Sequence, residues 1–176
     1  ANIKLGLHNL VVAGGVESMS NAPYLIPAQS RGGFKMGDRT ITDHMIGDAL
    51  TDVFNNYHMG VTAENIAAKY QLSREEQDEF AWTSQQRAIK AIDSGLFKKE
   101  IVPFVIKTRR GETVFDTDEF PNRTTSLEKL GGLRPAFIKD GTVTAGNASG
   151  INDGASFVLV ASEDAVKKYN LTPLAE

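Results

Sequence analysis

Two near-continuous apolar runs stand far apart in the chain, Leu10-Val11-Val12-Ala13 near one end and Ala155-Ser156-Phe157-Val158-Leu159-Val160 near the other. A short apolar run without polar alternation is what a strand covered on both faces requires. The first, residues 9–13, is stopped by Gly14-Gly15, and the second, residues 154–161, is predicted to join the same sheet. Two such strands separated by most of the chain predict an α/β fold with a large insertion. With 176 residues, 41% of them hydrophobic, the chain is long enough to bury a core.

The insertion is predicted to be mainly helical. Segment 21–43 mixes proline, glycine, serine and asparagine with isolated hydrophobes such as Tyr24, Phe34 and Met36, the composition of a long excursion that needs a function or a partner to hold it. Thr62 is expected to cap a helix carrying Ala63, Ile66, Ala67 and Tyr70, with Glu64 in its first turn and an end near Leu72. Ser73-Arg74-Glu75-Glu76 is a capping box, and the following helix is expected to align Phe80, Ser84, Ala88, Ala91 and Ile92 before Gly95. Residues 101–106 and 113–115, joined across Arg109-Arg110-Gly111, read as a hairpin, with Pro103 marking an edge. Ser162 is expected to cap a last helix with Glu163 and Asp164 at its start, Lys167 and Lys168 at its end, and Asn170 as C-cap. Residues 171–176 begin a strand-like segment and Ala1 starts in what reads as a helix, so both ends look cut.

Charge and cysteine usage narrow the function classes. A formal charge of −3 offers no excess of cations to nucleic acid or anionic lipid, so neither is an expected partner. No stretch approaches a membrane span and the start lacks a signal-peptide shape, which makes a cytoplasmic setting the expectation. The chain has no cysteine, hence no disulfide, thiolate metal site or cysteine nucleophile of its own. His8, His44 and His58 lack a two-histidine helical spacing, and no metal site is expected.

The segment richest in chemistry is residues 141–154, GTVTAGNASGINDG. Its glycines let a ligand approach the backbone closely, and Asn147, Ser149 and Asn152 offer hydrogen bonds. A tight connection between packed elements has the same composition, and composition alone leaves both open.

Residues 142–154, TVTAGNASGINDG, resemble the pantetheine-binding loop of the thiolase family, and residues 12–20, VAGGVESMS, are similar to the family's segment after its nucleophile helix. Between them, residues 57–67, YHMGVTAENIA, resemble the start of the thiolase loop domain, and residues 133–137, LRPAF, its approach to the coenzyme loop. The resemblance covers essentially the whole chain. It implies the end of the N-terminal half of the thiolase fold plus the inserted helical loop domain. Residues 1–20 would belong to the N-terminal domain, 21–150 to the loop domain, 151–170 to the N-terminal domain again, and 171–176 to the start of the C-terminal domain.

Position by position, the resemblance makes Ser149 the partner of the pantetheine amide, with Ala145, Ala148 and Gly150 as a close-packed wall and Phe137 lining the same tunnel. His58 and Met59 would reach its inner end, where the acyl group sits, and Leu50 would contact the coenzyme from the preceding helix. Arg123 is offered one position along from the arginine that faces the adenine, with Lys129 and Arg134 as further cations. Pantetheine is a thin chain with two amides, which suits small residues, a few amide partners and apolar walls.

The resemblance implies a transferase that condenses two acetyl-CoA into acetoacetyl-CoA and CoA, or runs the reverse thiolysis, through an acyl-cysteine. Coenzyme A enters as a substrate thioester, with no separate cofactor, and the parent would be a homotetramer assembled through segment 21–43. Tyr57-His58-Met59 resembles the form with a restricted acyl pocket and favours the short-chain type over a degradative 3-ketoacyl-CoA thiolase. The acyl-accepting cysteine would lie upstream of Ala1, and the Asn-Glu-Ala-Phe segment, the Gly-His-Pro histidine and the second cysteine beyond Glu176. The chain alone is therefore expected to be inactive, with no catalytic residue of its own. A noncatalytic fragment that binds a CoA-like ligand, or only a partner subunit, is the rival from another class.

Overall fold

The apolar runs at the two ends of the sequence pair as one antiparallel ladder in a computed structural model that describes residues 1–176 apart from the side chain of Gln29. Strand β1 (Leu10–Ser18) faces β8 (Asp153–Ala161) from Leu10 opposite Ala161 to Ser18 opposite Asp153. Gly14 and Gly15 do not stop β1. Gly14 sits across from Phe157, whose ring occupies the space a Cβ would need, so glycine there permits the close approach. The predicted cover on both faces is absent within this chain: Val12, Phe157, Val158 and Leu159 are 69%, 63%, 60% and 52% exposed. Helix α4 (Glu163–Tyr169) is too short to cover them, though Ser162 caps it and Asn170 ends it in the left-handed region as predicted. Residues 171–176 form no strand.

Ala1–Ala22 with Ile151–Glu176 make one compact unit, and Pro23–Gly150 the other. In the first, a turn after β1 is tied to the start of β8: the Ser20 amide and hydroxyl donate to the two Asp153 carboxylate oxygens at 2.9 and 2.5 Å.

The second unit opens with segment 23–43, where β2 (Tyr24–Leu25) pairs with β3 (Thr42–Asp43). A wide-turned helix, Met45–Leu50, leads into β4 (Thr51–Asp52), which pairs with β5 (Tyr57–His58). Helix α1 (Met59–Tyr70) starts earlier than Thr62: His58 is its N-cap, with Nδ1 accepting the Gly60 N–H at 2.9 Å. That shift carries Glu64 out of the first turn into a buried stripe with Gly60 and Ala67. Helix α2 (Arg74–Asp93) has the predicted Ser73–Glu76 capping box. Its inner face is rotated from the expected stripe, leaving Phe80 77% exposed and turning Arg74, Asp78 and Gln85 inward. Polar residues on an interior face defeat a hydrophobic-period argument, which assumes that only apolar residues point inward. The hairpin forms as β6 (Phe104–Thr108) and β7 (Gly111–Phe115), with Pro103 just ahead of its first strand. A short α3 (Leu127–Gly131), capped by Ser126, packs on α2 ahead of loop 132–150.

Candidate functional site

Loop 141–150 has no regular structure, and side chains from α1 and α2 hold it in place. Glu64 of α1 is 6% exposed, and its carboxylate accepts the Thr142 amide at 2.9 and 3.0 Å, the Thr142 hydroxyl at 2.9 Å and the Val143 amide at 2.8 Å. Burial pushes this carboxyl up, but those two amides and the hydroxyl outweigh it and hold it below the usual glutamate value. Gly141 is bare of a Cβ where Glu64 and Ile138 crowd it. The Ala136 amide donates to the Val143 carbonyl at 2.9 Å, which ties the approach segment to the loop.

A second anchor comes from α2. Asn147 turns inward: its Oδ1 accepts the Thr144 amide at 2.7 Å, and its Nδ2 donates to Asp78 Oδ1 at 2.9 Å and to the Thr142 carbonyl at 3.1 Å. Thr144 is fully buried. Asp78 Oδ2 accepts Arg74 Nε at 2.7 Å, and Arg74 Nη2 donates to the Leu130 and Leu133 carbonyls at 2.6 and 3.0 Å. No buried polar side-chain atom among the described residues lacks a hydrogen-bond partner, as a rigid polar network requires.

Two features result. At the N-terminus of α1 the His58 and Phe137 rings stack with centroids 4.8 Å apart, and Phe137 lies on Gly60, where a Cβ would overlap the ring. A groove of about 310 Å³ is lined by Ala145, Gly146 and Ala148 from the loop, by Lys129, Leu130 and Leu133 from α3 and the residues after it, and by Gln85, Phe120, Asn122, Thr124 and Thr125. Lys129 is the one charged residue in its lining. Small and apolar residues with a few amides are the lining that a thin amide-bearing chain requires, and the Lys129 ammonium donates to the Thr124 carbonyl at 2.7 Å.

Of the nine residues singled out from sequence, Ala145 and Ala148 line this groove, and His58 and Phe137 form the stacked pair. Ser149 is exposed, next in sequence to Ala148 of the groove lining. Gly150 follows it. Met59 is 54% exposed at the start of α1, and Leu50 is half-buried at the end of its own short helix. Arg123 departs from the set: its guanidinium forks onto Asp93 at 3.0 and 2.6 Å, away from the groove lining. That hydrogen bonding holds the Asp93 carboxyl below its usual range.

Sequence reasoning missed Glu64, Arg74 and Asp78, and treated Asn147 as facing a ligand. The available signal was helical phase: Glu64 is four residues from Gly60 and three from Ala67, and Asp78 is four from Arg74.

The model of the thiolase N-terminal domain matches residues 1–164. A probable acetyl-CoA acyltransferase of Staphylococcus aureus strain COL is 57% identical over 175 residues, covering 99% of this chain and 44% of that protein. The solved acetyl-CoA acetyltransferase of Syntrophomonas wolfei superposes with a TM-score of 0.92 at 49% identity, over 98% of this chain and 43% of that one. Human mitochondrial 3-ketoacyl-CoA thiolase gives 0.91 at 48%, over 98% and 44%. The chain thus spans less than half the length of the relatives it matches. Two buried anchors beneath a small-residue loop, a family match over nearly the whole chain and a close superposition agree: the chain belongs to the thiolase family and carries part of the thiolase fold.

Proposed function

We propose that this chain supplies the coenzyme A-binding part of an acetyl-CoA C-acetyltransferase, which condenses two acetyl-CoA into acetoacetyl-CoA and CoA or runs the reverse. The observation that carries this is the small-residue loop held by Glu64 and Asn147, which presents Ala145, Ala148 and Ser149 beside a groove whose one charged lining residue is Lys129. His58 and Phe137 form the neighbouring feature and would face the acyl end, with Met59 and Leu50 near it and Gly150 continuing the wall.

The sequence contains no cysteine, so in this reading the acyl-accepting thiolate comes from polypeptide outside these 176 residues, and the reading places its histidine base there too. The chain alone binds but does not turn over. A homotetramer in the cytoplasm completes the reading; segment 21–43, which exposes Tyr24, Ile26, Phe34 and Met36, supports the assembly.

The likeness to human 3-ketoacyl-CoA thiolase favours a second reading, a degradative enzyme for longer acyl chains. Calorimetric titration of the chain with CoA tests the first claim: saturable binding displaced by acetoacetyl-CoA is expected, and no heat at millimolar CoA would overturn it. Displacement by longer 3-ketoacyl-CoA thioesters with equal affinity would favour the degradative reading.

A further inference from the structure

We propose that the Arg74–Asp78 ion pair sets the distance between the two walls of the groove and is thereby a positioning device for the CoA thioester; the ligand's identity rests on the function proposed above. Both residues sit one turn apart on α2, and each holds a different wall. Asp78 holds the loop wall, because Asn147 donates to it at 2.9 Å and in turn accepts the Thr144 amide next to Ala145. Arg74 holds the α3 wall, because one guanidinium nitrogen donates to both the Leu130 and Leu133 carbonyls. The 2.7 Å bond between the pair closes the chain of contacts from wall to wall.

Three observations make the link stiff. The Asp78 side chain is 6% exposed and that of Arg74 19%, so water does not compete freely for their bonds. Gly146 lies against the Leu130 and Leu133 side chains, with no room for a Cβ, so the walls can move apart but not closer there, and the pair supplies the opposing restraint. The arrangement also uses what only a planar fork provides, one nitrogen for the carboxylate and another for two carbonyls. Lysine has three donors, but all radiate from one atom, so it cannot reproduce the separation between the Nε that meets Asp78 and the Nη2 that meets the two carbonyls.

The absence of cysteine makes the separation measurable. Spin labels on Ala145→Cys and Lys129→Cys report the wall-to-wall distance by pulsed electron resonance, with no other thiol to react. Label-free chains, each with its native Ala145 and Lys129, are titrated with CoA in parallel. A narrow distance distribution is expected for the parent. Arg74→Lys and Asp78→Asn should each broaden or shift it and weaken CoA binding at least tenfold. Asp78→Asn removes a buried charge; should it fail to fold, Arg74→Lys, which keeps the charge, decides the question. Unchanged distances and affinity in a folded Arg74→Lys variant, with only its melting temperature lowered, would mean the pair merely stabilises the fold and would overturn the proposal. If the parent itself binds no CoA, the functional reading falls, and the label distances still decide whether the pair sets the groove.

Discussion

Replacing Glu64 by glutamine removes the charge on which three donors of loop 141–150 converge. In the native chain, Oε1 accepts the Val143 amide at 2.8 Å and the Thr142 amide at 2.9 Å, while Oε2 accepts the Thr142 hydroxyl at 2.9 Å. In either orientation a glutamine amide turns an NH2 group toward at least one of these donors. The Thr142 hydroxyl, which accepts from Gln77 Nε2 at 3.0 Å, has a second lone pair for such an NH2, but its own proton then loses the Glu64 acceptor. The expected cost is one charge-assisted hydrogen bond, about 2 kcal/mol, or a roughly 30-fold larger opening constant for the loop. Hydrogen exchange at the Thr142 and Val143 amides, measured at neutral pH where opening is a rapid pre-equilibrium, reads that constant directly. The pH dependence gives an independent check. The folded Glu64 carboxyl titrates below its ordinary value of 4.5, so its contribution is complete above that pH and is lost as pH falls through the folded value. The glutamine variant should lack that loss. Exchange within threefold of the parent, or an identical acid profile in the two proteins, would refute the assignment of Glu64 as the anchor of the loop.

Ser149→Ala should weaken CoA binding by the value of one neutral hydrogen bond, about 0.5–1.5 kcal/mol or roughly 2- to 12-fold, without changing the melting temperature. Calorimetry that shows equal affinity would remove Ser149 from the site. Asp153 is held below the usual aspartate range, first by the Ser20 hydroxyl and then by its amide, so Ser20→Ala should raise the carboxyl titration midpoint followed by carbon-detected NMR. Because that carboxyl is depressed in the fold, the Ser20 link stabilises above the ordinary aspartate value and is lost as pH falls; a midpoint that does not move would contradict the contact. Deleting residues 24–35 from the full-length protein should reduce its light-scattering mass from tetramer to dimer, and an unchanged mass would remove segment 21–43 from assembly.

Local punctuation was legible in the sequence wherever one residue's own chemistry decides the outcome. The Ser73–Glu76 capping box, Ser162 as N-cap, Asn170 as C-cap and the hairpin across Arg109-Arg110 all form as predicted, because each is settled within a few bonds of the residue concerned. The two apolar runs also pair as expected, here through their shared apolar character and not through local chemistry. Phase and partnership were not legible. Thr62 carries the signature of an N-cap, yet His58 caps α1, and Glu64 is buried where the Thr142 and Val143 amides, remote in sequence, donate to it. Arg74 and Asp78 carry the marks of a solvated helix face, and they point inward because Asn147 and the Leu130 and Leu133 carbonyls, remote in sequence, need partners there. Arg123 could equally face a ligand or an acid, and Asp93 at the end of α2 takes it. The sequence by itself determined the capping box of α2, the caps of α4 and the hairpin turn, since propensity and capping act over short range. Only the tertiary structure decided which charges are buried and what they hold, because the cost of desolvating a carboxylate or guanidinium is met by groups that folding alone brings within hydrogen-bond reach.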